Sequence, residues 1–74
     1  MQDPESRLRY RVVIEPTATG YSAYVPDLPG CVATGHSLRQ VSGRIESAVA
    51  AHLAGMRQDG EPIPTPGARA LQAV

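Results

Sequence analysis

Between residues 8 and 15, apolar side chains alternate with mostly charged ones. One parity carries Leu8, Tyr10, Val12 and Ile14, and the other carries Arg9, Arg11, Val13 and Glu15. A period of two is typical of a strand with one buried face. After a turn over residues 16–20, the alternation returns with Tyr21, Ala23 and Val25 on the buried side. The two segments therefore predict an antiparallel hairpin.

A rigid corner and a short third strand are predicted next. Pro26 and Pro29 fix two backbone torsions and remove two N–H donors between residues 26 and 30. Within this corner, Asp27 can cap the turn and Leu28 can reach the core. Residues 31–34 are apolar enough for a strand, which Gly35 ends.

The next segment has a clear helical pattern. Ser37 and Gln40 have the spacing of a capping box, in which the hydroxyl accepts from the Gln40 N–H and the amide side chain reaches back. Core-type side chains then recur at three- and four-residue steps: Leu38, Val41, Ile45, Ala48, Val49, His52, Leu53 and Met56. This stripe predicts a helix from Leu38 to Arg57 with one core-facing side. Gly60 is expected just past its end.

These elements predict a two-layer α+β domain in the order β-β-β-α, with a possible final strand. An antiparallel sheet would carry the long helix on one face and leave the other face open. The 74 residues suit a single domain. Its core is expected over about residues 8–66, with a flexible arm over 1–6 and a short strand or tail over 67–74. Because so small a domain buries only about 60% of its unfolded surface, self-association into a homo-oligomer is expected.

Composition narrows the classes of function. Seven arginines and no lysine balance seven acidic residues, so the formal charge is zero. A dedicated nucleic-acid-binding domain usually has a basic excess instead. One cysteine excludes an intrachain disulfide. A cytoplasmic setting is expected, because no segment resembles a signal peptide or a membrane span.

Nucleophilic chemistry has weak support. Cys31 and His36 lie five residues apart across a strand, but nothing in the pattern orients the imidazole as a base. A lone cysteine is more often buried than reactive. His52 falls within the apolar stripe, which favours a packed histidine over a ligand. We therefore predict no catalytic residues.

The acidic residues are dispersed over different elements, which disfavours a metal site. A metal-dependent nuclease that uses Glu15, Asp27 and Glu46 remains the enzymatic alternative, because two-metal chemistry needs converging carboxylates. Turn capping and solvation explain these positions better. No metal and no cofactor are predicted.

Two surfaces are candidates for binding. Arg9, Arg11 and Tyr24 share the outward face of neighbouring strands, where guanidinium and ring can stack; an ordinary solvated face is the alternative. On the back of the helix, small side chains recur at helical steps: Gly43, Ser47, Ala50 and Ala54. They would let another backbone approach closely, although alanine is also the best helix former. A glycine within a helix costs about 1 kcal/mol, which favours an oligomer face here.

Three segments in order make the sequence distinctive. They are Tyr10–Glu15 with Tyr24–Cys31 after a glycine turn, Thr34–Leu38, and Asp59–Pro64. Over about residues 8–66, they resemble the N-terminal domain of HicB-type antitoxins. The resemblance implies a ribonuclease-H-like β-β-β-α-β fold without that enzyme's catalytic carboxylates.

The resemblance also implies a partner. Such antitoxins bind and block a small toxin that has a double-stranded-RNA-binding-domain-like fold and degrades mRNA. They often form dimers or tetramers, and many repress their own operon through a C-terminal DNA-binding segment. Because the chain ends at Val74, no direct DNA binding is expected here.

The leading hypothesis is a non-enzymatic, HicB-like antitoxin that binds a small basic, HicA-like ribonuclease. The outward sheet face and the corner would make the contacts, with Arg9, Arg11, Tyr24 and Asp27 as the candidate residues. A regulatory or structural homo-oligomer without a toxin partner is the alternative.

Overall fold

The computed structural model describes residues 10–66. In chain order it contains β1 (Val13–Thr17), β2 (Gly20–Tyr24), β3 (Val32–Gly35) and α1 (Leu38–Gln58). The strands form one antiparallel sheet in the order β1-β2-β3, and α1 packs across β2 and β3. The α+β prediction is confirmed. The arm over 1–6 and the strand or tail over 67–74 lie outside the described residues.

The hairpin differs from its prediction in register. β1 was expected over residues 8–15 but begins at Val13, which pairs with Tyr24, the last residue of β2. Residues 10–12, the described residues before β1, have no partner on β2, because the chain turns into the corner immediately after Tyr24. Pro16, which was expected in the turn, lies within β1 opposite Tyr21. A proline is tolerated there because β1 is an edge strand of the described sheet.

One face of the sheet packs against the core. Ile14, Ala23 and Ala33 form a row across the three strands on the side that α1 covers. The buried apolar residues are Ala23, Val25, Leu28, Cys31, Val41, Ile45 and Leu53. The helix and both sides of the corner therefore share a single apolar cluster with the sheet.

Two residues predicted for the core are exposed. Val12 is 37% exposed, because it precedes the first β1 pair and α1 lies over the other two strands. Leu38 is 54% exposed, because it lies one turn before Val41, where α1 first meets the end of β3. In both cases the apolar periodicity of the sequence extends beyond the residues that pack against the neighbouring element.

The ends of α1 follow the predicted chemistry. The Gln40 N–H donates to Ser37 Oγ over 3.1 Å, and Gln40 Oε1 accepts from the His36 N–H over 2.7 Å. At the other end, Gly60 has φ of 71°, its N–H donates to the Arg57 carbonyl, and the Glu61 N–H donates to the Met56 carbonyl. These last two bonds form a Schellman motif, so both helix ends are satisfied.

The segment after α1 returns to the beginning of the described chain. Ile63 packs against the core cluster, and the Tyr10 hydroxyl donates to the Pro64 carbonyl. The residues just before β1 are thus held by the helix exit rather than by a neighbouring strand. Within residues 10–66, no helix combines the length and the apolar character that crossing a membrane requires.

Candidate partner-binding surface

The sheet face opposite α1 carries an apolar row. Val13, Tyr24 and Val32 are cross-strand partners, so their side chains lie side by side on this face. Tyr24 is 40% exposed and Val32 is 65% exposed. The next row is polar and contains Glu15, Ser22 and Thr34. We call the residues of these two rows the open face.

Backbone hydrogen bonds within the corner hold the chain together between β2 and β3. The Val25 N–H donates to the Cys31 carbonyl, the Leu28 N–H donates to the Val25 carbonyl, and the Cys31 N–H donates to the Leu28 carbonyl. Leu28 is fully buried, which confirms that it plugs the core. Asp27 is also buried, at 3% exposure. This carboxyl therefore offers almost no surface to a partner and belongs to the corner itself.

The structure brings together only part of the predicted contact set. Arg9 lies outside the described residues. Arg11 is exposed and lies two residues before Val13, next to the open face. Tyr24 lies at the centre of the apolar row. Val32, the most exposed member of that row, was missed, although its pairing with Tyr24 follows once β2 and β3 are aligned.

The back of α1 faces away from the sheet, as its spacing predicted. Gly43, Ser47 and Ala50 are exposed, and Ala54 is half-buried. A Cβ atom at Gly43 would meet no atom within 4 Å. No contact within the described fold therefore requires a glycine at this position. Its role in an oligomer stays a prediction.

The carboxylates of the nuclease alternative are dispersed. Glu15 lies on the open face, Asp27 is buried in the corner, and Glu46 is exposed on α1, which packs on the opposite face. Within residues 10–66, no three Asp, Glu, His or Cys side chains form a group that could hold a metal ion. Two-metal chemistry requires such convergence, so the described residues do not supply that arrangement.

Cys31 and the histidines also lie apart. The Cys31 thiol is buried, and this burial raises its pKa, which keeps it protonated and a poor nucleophile at neutral pH. β3 separates it from His36, whose Nδ1 lies 3.3 Å from the Thr19 carbonyl oxygen. His52 is half-buried on α1, as expected for a histidine at the edge of the apolar stripe.

Comparison with known proteins identifies the family of this chain. A family model described as the HicB-like antitoxin of the bacterial toxin–antitoxin system matches residues 10–73. The chain belongs to this HicB-like antitoxin family. The match includes all three segments that carried the sequence resemblance, which are Tyr10–Glu15 with Tyr24–Cys31, Thr34–Leu38, and Asp59–Pro64.

Solved structures agree with the HicB-like assignment. The chain matches a structure of a HicA3 and HicB3 toxin–antitoxin complex with a TM-score of 0.67 and 33% identity, covering 77% of this chain and 66% of that one. It matches a crystal structure of antitoxin HicB3 with a TM-score of 0.66 and 33% identity, covering 77% of this chain and 42% of that one.

A phage protein is also similar. An uncharacterized 14.9 kDa protein from the rep-hol intergenic region of Haemophilus phage HP1 (strain HP1c1) is 36% identical over 55 residues. Those residues are 74% of this chain and 41% of the phage protein. The HicB-like chain therefore spans well under half of the curated relative that it matches.

Proposed function

We propose that this HicB-like protein binds and neutralises a small mRNA-degrading toxin of the HicA type, without catalysing a reaction itself. The observation that carries the proposal is the similarity, at 33% identity, to a chain in a HicA3–HicB3 complex. The dispersal of the carboxylates and the burial of Cys31 favour a binding role over an enzymatic one. Since such a toxin acts on mRNA, we also place the protein in the cytoplasm.

The open face is the surface that we assign to the toxin. It lies opposite α1 and exposes an aromatic and an aliphatic side chain, Tyr24 and Val32, next to each other. Aromatic anchors surrounded by polar groups dominate the energy of many protein interfaces. Arg11 and Arg9 would contact the rim of this surface. Asp27 would act indirectly, by holding the corner that follows Tyr24.

Co-expression with the small HicA-like protein encoded by the neighbouring gene tests the function. We expect the tagged chain to co-purify with that protein and to relieve the growth arrest that the toxin causes when expressed alone. If the neighbouring gene encodes no such protein, or if the two proteins do not associate, the antitoxin role is wrong.

Two variants that each introduce a positive charge test the surface. Val32→Lys places a cation on the open face against a basic partner and should weaken toxin binding at least about tenfold. The matched control is Leu38→Lys, because Leu38 is similarly exposed but lies at the start of α1. The control should bind as the parent does. Equal binding by both variants, with folding unchanged by circular dichroism, would exclude the open face as the toxin site.

A homo-oligomer is the second candidate, either as an accompaniment to toxin binding or as a function without it. The open space around Gly43 favours an oligomer, because a helical glycine with no neighbour inside the fold lowers stability and no contact within the fold requires it. Light scattering should find a species larger than one chain. Ala50→Glu, on the same side of α1, should convert that species to a monomer; a strict monomer in the parent chain at micromolar concentration would contradict the prediction.

A further inference from the structure

A cavity of about 190 Å³ lies at the end of the sheet, away from the corner. Here the turn between β1 and β2 meets the joint between β3 and α1. Besides the backbone of Gly35, its lining residues are Thr17, Thr19, Tyr21, Thr34, His36 and Arg44. Thr34 belongs both to this lining and to the polar row of the open face, whereas the apolar row lies towards the other end of β3.

Two glycines set the shape of this cavity. A Cβ atom at Gly20 would lie 2.2 Å from the Gly35 carbonyl oxygen, and one at Gly35 would lie 2.7 Å from the Val41 nitrogen. Neither distance can accommodate a side chain. The turn, the end of β3 and the first turns of α1 are therefore in direct backbone contact, and the cavity is formed before any ligand arrives.

The Arg44 and His36 side chains of the cavity each contact a backbone carbonyl. Arg44 Nη1 donates to the Thr34 carbonyl over 3.0 Å, which leaves most of the five N–H donors of the guanidinium for other acceptors. His36 Nδ1 lies 3.3 Å from the Thr19 carbonyl. Because a carbonyl can only accept, Nδ1 carries the proton there, and Nε2 can donate to a ligand only when both ring nitrogens are protonated.

The lining suits an anion. It combines a guanidinium, an imidazole and four residues that carry hydroxyl groups, and none of the described lining residues is acidic. Guanidinium groups bind phosphate through two parallel hydrogen bonds, and hydroxyl groups supply further donors. A site for a cation or an apolar molecule would have a different composition.

The size of the cavity limits the ligand. At about 190 Å³ it is smaller than the roughly 300–1,000 Å³ of ordinary small-molecule pockets. It can hold one phosphate group but not a whole nucleotide. The rest of a larger ligand would have to lie outside.

We propose that this cavity binds a phosphate group, with Arg44 as its principal contact and the surrounding hydroxyl groups as secondary donors. The phosphate is either free or the terminal group of a small molecule. The proposal does not depend on toxin binding. Loss of phosphate binding and loss of toxin binding are therefore separate results.

Titration of the full chain with inorganic phosphate at constant ionic strength, followed by amide NMR, tests the proposal. Saturable shifts should appear at Thr19, Gly35, His36 and Arg44, with a dissociation constant of about 1 mM, as expected for a ligand of few atoms. Arg44→Gln should weaken binding at least about tenfold, because it removes charge-assisted hydrogen bonds. The same spectra report whether the variant is folded.

Arg39→Gln is the matched control, because Arg39 is an exposed arginine in the first turn of the same helix and does not line the cavity. It should change the affinity by no more than about twofold, since exposed charges at a distance are screened. Equal weakening by both variants, absent or unsaturable shifts, or acetate binding as tightly as phosphate would each overturn the proposal.

Two further ligands distinguish the source of the phosphate. A 5′-mononucleotide presents a terminal phosphate, and a short oligoribonucleotide without terminal phosphates presents only phosphodiesters. We expect the mononucleotide to cause the same shifts as inorganic phosphate and the oligoribonucleotide to cause none. Arg44-dependent binding of the oligoribonucleotide alone would contradict a small-molecule ligand.

Discussion

The two ends of β3 are held in place by different means. The corner lies at one end, and the joint between β3 and α1, where Gly20 and Gly35 approach each other, lies at the other end. The corner buries Val25, Leu28 and Cys31 and bonds to itself through its backbone. At the joint, Gly20 and Gly35 bring backbone segments into direct contact and leave Arg44 and His36 exposed around a cavity. The same strand thus connects an end that stabilises the fold through apolar burial to an end that keeps polar groups available for binding.

This difference explains why most of the distinctive corner string offers little exposed surface. The corner string Tyr24–Cys31 is used mostly for packing, and even its one carboxylate, Asp27, is buried. The exposed candidate groups are Tyr24, which begins this string, Val32, which follows it, and the polar groups at the opposite end of β3. In so small a domain, one core cluster must hold both ends of the sheet, so few corner residues are spare for recognition.

The largest predicted effect is at the corner. Leu28→Ala should lower the free energy of unfolding by about 3 kcal/mol or more, because Leu28 is fully buried and its removal leaves a cavity. Urea unfolding followed by circular dichroism measures the change. The matched control is Leu38→Ala, at a leucine that is 54% exposed; it should change stability by less than about 1 kcal/mol. Similar losses for the two variants would mean that the corner is not the apolar anchor of the fold.

An intermediate effect is expected at the joint. Gly35→Ala would place a Cβ atom 2.7 Å from the Val41 nitrogen, so the chain must shift, at a cost of about 2 kcal/mol. Gly43→Ala has open space and should instead stabilise the monomer by roughly 0.5–1 kcal/mol. Thermal or urea unfolding shows whether each substitution raises or lowers the free energy of unfolding. A stabilising Gly35→Ala would show that the joint is not tightly closed.

The smallest effect concerns Cys31. Burial raises the pKa of its thiol above the ordinary value of 9.0, so the folded state favours the protonated form. This contribution to stability is complete below pH 9 and is lost as the pH rises through the raised pKa. The free energy of unfolding should therefore decline more steeply above pH 9 in the parent than in Cys31→Ala. A thiol reagent that modified the native protein rapidly at pH 7 would contradict the burial.

The local elements could be predicted because their determinants are close together in the chain. Ser37 and Gln40 specify the start of α1, and Gly60 in the left-handed conformation specifies its end. The alternation around Ile14 and Ala23 assigns a buried side to each strand of the hairpin. The resemblance to HicB-type antitoxins rests on the same local strings, and the family match confirms it.

The candidate sites required the tertiary structure, because they depend on residues that are distant in the chain. The open-face pair Tyr24 and Val32 follows from the register between β2 and β3, and the phosphate cavity follows from the approach of Gly20 to Gly35. The exposure of Leu38 and the burial of Asp27 likewise depend on where α1 and the corner meet the sheet. The sequence alone determined the elements, their order and the family, since near neighbours encode them. Only the folded chain decided which side chains are buried and which are exposed, since burial is a property of packing between elements.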